Sequence, residues 1–577
     1  MPVQVLFNSC RQSKSTYNTV SQNLKVLNWL QNLIPKNGMD SRQVYELLHD
    51  GLTLDGNTTL NLASFVNVHV EDDAEKLIIE NLTKNLADND EYPMLIELQQ
   101  RCISILADLW HAPSEVVHTI KTKDGEQKVK RKTQALGTAC TGSSEAIMLG
   151  GLAMKKNWQA KRKAKGLNHY TPNILMASCC QVALEKFARY FDVEARIIKC
   201  SEKDFLIDCE QIKENLDENT IGVFVILGST YTGGFENVTK VNEILDDYEK
   251  ETGNFIPIHI DGASGGVIAP IIYPELVWDF RLDRVVSINC SGHKFGLTTA
   301  GLGWVIFRSE DWLPEELKFQ LQYLGGLEES FTLNFSRPGY QVVHQYYNFL
   351  HLGERGYFDI YDNCLTNARI LSKFLEQTGF FTCISNLHLP VGQTTRGGTL
   401  PSKSVFQGLK PEPKLNDHTA FNPALPVVSF QFTKQFSEEY PEIPQIMVSN
   451  LLRNRKWIVP NYGLPKTSSS NTDDTNNEIL RVVVKYNLTS QLLDKLMHDI
   501  VEVVEVLTKS TDMVREKVKN IRKAAINAQS ADDEENVAMA NDMIYNMLLS
   551  IANEGNEKLI KMRDHSDHKH DSFRAIC

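Results

Sequence analysis

An α/β fold with a mostly parallel sheet is the architecture this sequence predicts, and three observations predict it. Between residue 60 and about residue 360, short apolar runs alternate with amphipathic helical stretches, the order that builds strand–helix–strand units. Loops rich in glycine and small hydroxyl residues follow several of those runs, on the edge where α/β sheets bind ligands. The chain has 577 residues and 42% hydrophobic content, enough for a large core and more than one domain.

Taken in order, residues 1–59 read as an N-terminal arm with one or two helices, including Leu24-Lys25-Val26-Leu27-Asn28-Trp29-Leu30. Residues 60–364 form the large domain. Its strand candidates are 173–177, 222–227, 255–260, 285–288 and 303–307, each a short apolar run. A smaller α+β unit spans 365–509, with strands at 426–432 and 479–484. Two Pro- or Ser-rich interruptions, 390–423 and 466–477, read as surface loops. A helix is expected from Ser490 through Leu507, with Leu493, Leu496, Ile500, Val503 and Leu507 on its apolar face. Residues 510–577 read as a charged helical tail. The alternating stretch 119–130, broken by Asp124-Gly125, predicts an exposed β-hairpin.

Composition excludes several function classes. The net charge is -12, from 60 basic and 72 acidic residues, which argues against non-specific nucleic-acid binding. No apolar run reaches the roughly 18 residues of a membrane span, and the N-terminus lacks the pattern of a secretory signal. Eleven cysteines without paired spacing predict reduced thiols in a cytoplasmic protein, with neither a disulfide frame nor a metal site. His565, His568 and His570 resemble a metal cluster in composition alone and read as a disordered tail.

The chemistry centres on Ser291-Gly292-His293-Lys294-Phe295-Gly296, just past an apolar strand. Lysine is rarely buried without a reason. In a partly apolar pocket its amine can lose a proton and attack a carbonyl, as in pyridoxal phosphate enzymes. Such a cofactor also needs an acid at its ring nitrogen, a phosphate cradle and a wall against its ring. Asp261 ends the run Ile256 to Ile260, at a strand end where a carboxylate can face the ligand crevice. The alternative is an aspartate capping a helix. Thr141-Gly142-Ser143-Ser144 leads into a helix expected at 147–155 and can cradle an anion through backbone N–H groups; there too a capping serine is the plainer reading. Gly228-Ser229-Thr230-Tyr231-Thr232-Gly233-Gly234 is a second hydroxyl-rich loop after a strand.

These motifs resemble glutamate decarboxylase, in the bacterial, plant and fungal branch of the pyridoxal phosphate decarboxylases, with details closest to the fungal members. The resemblance is carried by Thr141-Gly142-Ser143-Ser144-Glu145-Ala146, Thr230-Tyr231-Thr232-Gly233, His259-Ile260-Asp261 and Ser291 to Gly296. It extends to Asn61-Leu62-Ala63-Ser64-Phe65, Lys84 to Asp88 with Glu91-Tyr92-Pro93, and Asn334-Phe335-Ser336-Arg337-Pro338, and runs from about residue 45 to about residue 505. It implies the aspartate aminotransferase-like fold type I, with a mostly parallel seven-stranded sheet. It further implies L-glutamate as substrate, decarboxylated to 4-aminobutanoate through an aldimine and a carbanion spread into the ring.

By the same resemblance, Lys294 would bond pyridoxal 5'-phosphate and His293 would touch its phosphate. Ser143, Ser144 and Ser291 would complete the cradle, with Ser336 reaching in from a neighbouring subunit of a dimer or hexamer. Asp261 would pair with the ring nitrogen, Thr230 would contact the cofactor, and Gln181 and Ala263 would pack on opposite ring faces. Ser64, Phe65, Asn85 and Asp88 would hold the distal carboxylate of the substrate, and Arg481 would face its α-carboxylate. A carboxylate beside a substrate carboxylate requires a shared proton, so activity is expected on the acid side of neutrality. Tyr323 would return a proton to the product.

Two departures stand out. Ser64 replaces a threonine of the bacterial relatives, and Ala183-Leu184 differs from their pattern beside Gln181. The tail lacks the tryptophan of the calmodulin-binding plant tails, although residues 514–523 are basic and amphipathic enough for a regulatory partner such as calmodulin. Since decarboxylation consumes a proton, a role in stress physiology would fit. The rivals are a decarboxylase of aromatic or sulfinic amino acids, a sphingoid-base lyase, and a cofactor-binding regulator without turnover.

Overall fold

In the computed structural model, the described residues are 34–122, 125–132, 135–321, 328–394, 413–467 and 478–526. The chain divides into two compact units, Met1–Asn57 and Thr58–Cys577. In the first, helix α1 (Ser41–Leu52) is capped by Asp40, whose side chain accepts from the Arg42 and Gln43 N–H groups. The expected helix at 24–30 lies outside the described residues.

The second unit is built on a seven-stranded sheet. Its strands are β3 (Leu136–Cys140), β4 (Asn173–Ala177), β5 (Glu194–Ile198), β6 (Thr220–Ile226), β7 (Ile258–Asp261), β8 (Val285–Ser291) and β9 (Gly303–Phe307). The order is β3-β9-β8-β7-β6-β4-β5. All neighbours are parallel except β9, which runs antiparallel to both β8 and β3. The mostly parallel seven-stranded sheet expected of the fold is therefore present. Because β9 reverses direction once on each side, β3 and β8 are parallel and end on the same edge.

The five strand candidates in this region all form strands, while β3 and β5 escape a hydrophobic reading. Both occupy sheet edges, where one side of the strand is solvated and a continuous apolar run is not required. In β5 only Ile198 is buried. Strands β6, β8 and β9 are buried throughout and supply the centre of the core.

Helices α2 (Asp72–Asn81), α3 (Pro93–Leu109), α4 (Ser143–Ala164), α5 (Val182–Tyr190), α6 (Val238–Thr252) and α7 (Gly265–Ile272) belong to this part of the chain. Helix α4 begins at Ser143, four residues earlier than the sequence predicts, so Ser143 and Ser144 belong to its first turn. Helix α8 (Tyr340–Gln377) bends at Gly353, whose φ of +59° suits a residue without a side chain.

A short antiparallel pair, β10 (Phe319–Leu321) and β11 (Glu328–Ser330), precedes a second sheet of order β12-β13-β15-β14, from β12 (Phe381–Cys383), β13 (Val427–Phe432), β14 (Asn461–Gly463) and β15 (Glu478–Val483). Helices α9 (Lys434–Glu439), α10 (Ile446–Asn454) and α11 (Ser490–Ile526) accompany it. Helix α11 runs on beyond Leu507 through most of the basic stretch. There Arg515 is engaged by both carboxylate oxygens of Glu442, at 3.1 and 2.6 Å. The expected hairpin is also present, as β1 (Glu115–Thr122) paired with β2 (Gly125–Lys132). Tyr323, most of the 390–423 loop, most of the 466–477 loop, and His565, His568 and His570 lie outside the described residues.

Candidate active site

Strands β3, β6, β7 and β8 end around one cavity of about 210 Å³. Its lining includes Ser143, Ser144, Gln181, Thr230, Asp261, Ala263, Ser291, His293 and Lys294. Nine residues singled out in the sequence thus meet in one place, although they span 152 positions along the chain from Ser143 to Lys294.

Lys294 lies in the turn after β8 and is 5% exposed. Its Nζ donates to Ser264 Oγ at 3.3 Å and lies 5.3 Å from the centre of the Phe65 ring. Asp261, the last residue of β7, is also 5% exposed. Burial pushes its carboxyl above the ordinary range, while the Lys294 charge and a hydrogen bond from Asn289 pull it back. The Asn289 amide and the Ala263 N–H both donate to Oδ1, each at 3.1 Å. Oδ2 is left as the oxygen available to a ligand.

The cradle depends on a close crossing. Gly142 has φ of +135°, and a Cβ on Gly303 would lie 2.4 Å from the Gly142 carbonyl carbon. The first residue of β9 must therefore lack a side chain for the turn before α4 to cross it. Gly142 also offers no side-chain cap to the helix, so the positive end of a 22-residue helix opens with its first-turn N–H groups uncapped by a side chain. Ser143 Oγ and Ser291 Oγ are 2.7 Å apart, and Asn289 donates to Ser143 Oγ at 3.1 Å. His293 Nδ1 donates to the Leu302 carbonyl at 2.7 Å. Burial and the neighbouring Lys294 push this imidazole down to about 4, so it is neutral at physiological pH.

This donor set fits pyridoxal phosphate. An uncapped helix N-terminus with two serine hydroxyls suits a phosphate, Lys294 suits the aldehyde, and the buried Asp261 Oδ2 suits a protonated pyridine nitrogen. Gln181 caps α5 by accepting from the Ala183 N–H at 2.6 Å, which holds its side chain beside the cavity.

Three buried groups behind the cavity were given no role from the sequence, His259 being quoted only within the His259-Ile260-Asp261 motif. His259 pairs through Nδ1 with Ser287 Oγ at 2.7 Å and through Nε2 with Asn289 Oδ1 at 2.8 Å. Burial pushes His259 down to about 4. Asn289 in turn donates to Asp261 and Ser143, so one amide ties the end of β7 to the first turn of α4. Glu236 accepts from the Ile226 and Ile207 N–H groups at 2.6 and 3.1 Å, and burial pushes its carboxyl up to about 8. A legible signal existed for Asn289: it is a polar residue inside a strand otherwise rich in valine and isoleucine.

The expected substrate residues are placed less uniformly. Arg481 is 1% exposed and donates to the carbonyls of Thr230, at 2.8 Å, and Ala63. Its guanidinium packs 5.1 Å from the Phe65 ring and 5.5 Å from that of Tyr462, and its Nε has no hydrogen-bond partner among the described residues. Phe65 therefore sits between Lys294 and Arg481. Ser64 Oγ accepts from the Val66 N–H at 3.1 Å. Asn85, Asp88 and Ser336 form a group of their own. Asn85 Nδ2 donates to Asp88 Oδ1 at 3.1 Å and to Ser336 Oγ at 3.4 Å, while its Oδ1 accepts from the Arg337 N–H at 2.9 Å. None of these three lines the cavity, and neither do Ser64, Phe65 and Arg481. The Ser336 segment is pinned by Asn334, whose side chain donates to Thr141 Oγ1 at 2.9 Å and whose N–H donates to Glu145 Oε1 at 3.0 Å.

Comparison with known proteins adds an independent line. Residues 62–391 match the pyridoxal-dependent decarboxylase conserved domain. The chain is 46% identical over 537 residues to a glutamate decarboxylase of Saccharomyces cerevisiae, covering 90% of this chain and 84% of that one. It is 42% identical over 474 residues to a glutamate decarboxylase of Petunia hybrida, covering 82% and 83%. Among solved structures, a Lactobacillus brevis glutamate decarboxylase superposes with a TM-score of 0.69 at 32% identity, over 82% of this chain and 94% of that one. A Burkholderia pseudomallei sphingosine-1-phosphate lyase reaches 0.60 at 16% identity, a likeness of fold alone.

Proposed function

The chain belongs to the pyridoxal-dependent decarboxylases and, among them, to the glutamate decarboxylases, and from that premise we propose how its residues divide the work. The enzyme converts L-glutamate to 4-aminobutanoate and carbon dioxide with pyridoxal phosphate. When bound, the cofactor supplies a ring that accepts the electrons left when carbon dioxide departs.

Lys294, buried on the cavity, would be the amine that holds the cofactor through its aldehyde. Asp261 Oδ2 keeps a proton on the ring nitrogen, and Asn289 holds Asp261 in the orientation that role needs. Ser143, Ser144 and Ser291 bind the phosphate, with neutral His293 beside it. Thr230, Gln181 and Ala263 wall the ring. Arg481 faces the α-carboxylate, Phe65 excludes water between Arg481 and Lys294, and Tyr323 returns a proton to the α-carbon. Ser64, Asn85 and Asp88 receive the distal carboxylate.

The single observation that carries this reading is the buried Lys294 Nζ on the same small cavity as Asp261, Ser143 and Ser291. Asn85, Asp88 and Ser336 bond to one another in a group of their own, and a dimer or hexamer with shared sites is part of the proposal. Mass measurement in solution checks it. Among the described residues no helix is long and apolar enough to cross a membrane. Nine described cysteines carry no disulfide, which supports a cytoplasmic setting; cell fractionation checks that. Arg515 is already occupied by Glu442, so the basic stretch gains no support as a calmodulin target.

The test is carbon dioxide release from a panel of amino acids, beside Lys294→Ala. Wild type is expected to turn over glutamate in preference to aromatic or sulfinic amino acids. The variant is expected to lose roughly four orders of magnitude, about 5 kcal/mol of barrier lowering, together with the absorbance of the lysine-bound cofactor. Glutamate turnover undiminished in Lys294→Ala would refute the assignment.

A further inference from the structure

The geometry points to a second site, unrelated to the cofactor cavity: a zinc-binding cluster of Glu376, Cys383 and His388 beside the smaller sheet. Glu376 lies in the last turn of α8, Cys383 ends β12, and His388 follows five residues on. One donor atom from each lies within 4.8 Å of the other two. None of the three lines the cofactor cavity.

What separates this cluster from a chance grouping is its unmet hydrogen bonding. His388 is 2% exposed, yet neither ring nitrogen has a hydrogen-bond partner among the described residues. Glu376 Oε1 is likewise buried without one. Nε2 of His388 comes within 3.1 Å of Glu376 Oε2, a spacing that aims the ring into the cluster. Cys383 is fully buried, and its Sγ meets the Ser372 carbonyl at 3.5 Å. Buried polar groups in native structures nearly always have partners, so several orphans converging on one point call for an explanation. A buried histidine–glutamate ion pair is the plainer one, but it leaves Glu376 Oε1 unmet beside the Cys383 thiol.

A cation meets the convergence directly. Thiolate, imidazole and carboxylate are zinc's ligand types, whereas calcium and magnesium take oxygen. The Ser372 carbonyl or a water supplies a fourth ligand. Such a site joins the end of α8 to β12, and its role is structural. The spacing Glu-x6-Cys-x4-His matches no common zinc signature, and only the turn between α8 and β12 brings the ligands together.

The test uses the full-length, cofactor-loaded enzyme with zinc alone as the probe. His565, His568 and His570 are first changed to alanine, because a histidine-rich tail can also take up zinc. In that background, about one zinc per chain is expected after gel filtration, falling at least about tenfold in Cys383→Ser and in His388→Gln. Cobalt(II) in place of zinc should give the visible absorption of a tetrahedral thiolate site, lost in Cys383→Ser. Cofactor loading and carbon dioxide release report whether each variant folds. Should the variants fail to fold, a zinc-dependent rise in melting temperature with the thiolate–cobalt absorption in the unsubstituted cluster supports the site, and the absence of either overturns it. Zinc content unchanged by Cys383→Ser, or lost with the tail histidines alone, overturns the proposal.

Discussion

The two ends of the active site are built in different ways. At the cofactor end the polar groups interlock within one chain: His259 holds Asn289, Asn289 holds Asp261 and Ser143, and Ser143 meets Ser291. At the expected substrate end, Asn85 and Asp88 bond to one another, and neither they nor Arg481 line the cavity. The groups expected to hold the cofactor are thus interlocked by the fold of one chain, while on the proposed function recognition of the distal carboxylate waits on assembly. A preorganised polar site also loses less reorganisation energy at the moment of reaction.

Several substitutions separate the two ends. The largest effect is expected from Asp261→Asn, which leaves a hydrogen-bonding side chain of the same shape but removes the charge facing the ring nitrogen. Turnover should fall about 10³-fold, about 4 kcal/mol, while glutamate KM stays nearly constant; steady-state kinetics decide it. Asn85→Ala should do the opposite, raising glutamate KM roughly 30-fold, as expected for a lost contact to a charged group, about 2 kcal/mol. Cofactor affinity, read by absorbance titration, should remain unchanged.

A smaller effect concerns pH. His259 is pushed down to about 4 in the folded state, against an ordinary histidine value near 6.5. Between those values the unfolded chain binds the extra proton and the native chain does not. Stability is therefore lost as pH falls from 6.5 towards 4. From pH 6.5 to pH 5 the loss attributable to this group is about 1.5 kcal/mol, and His259→Gln should remove that part of the slope in denaturant titrations. An unchanged slope would place the acid sensitivity elsewhere, with His293 the next candidate.

How much of this was legible in the sequence follows the same division. Lys294, Asp261 and the Ser143-Ser144 cradle announce themselves because a charged or hydroxyl residue right after an apolar run is conspicuous. The central strands were legible because both faces are covered and their sequences are uniformly apolar. Edge strands β3 and β5 were not: β5 buries only Ile198, and β3 is a short run of mostly small residues, Leu136-Gly137-Thr138-Ala139-Cys140. Asn289 was missed because one polar residue inside a strand carries no local sign of its partners, which come from β7 and α4. The start of α4 was read late, since glycine and serine favour caps and turns over helix interiors. Nothing in Asn85 or Asp88 alone reveals a substrate pocket; their reading came from resemblance.

The most direct test of the central claim is complementation between two inactive variants. Lys294→Ala and the double variant Asn85→Ala/Asp88→Ala are co-expressed with different tags, and mixed oligomers are isolated from the pure ones. If the substrate end is supplied by a second copy, each mixed pair holds one intact site, and about half of wild-type activity per pair returns. If both ends belong to the same chain, the mixed oligomers retain one site lacking Lys294 and one lacking Asn85 and Asp88. Their activity would then match the average of the two parents, and the account of a shared site would be contradicted.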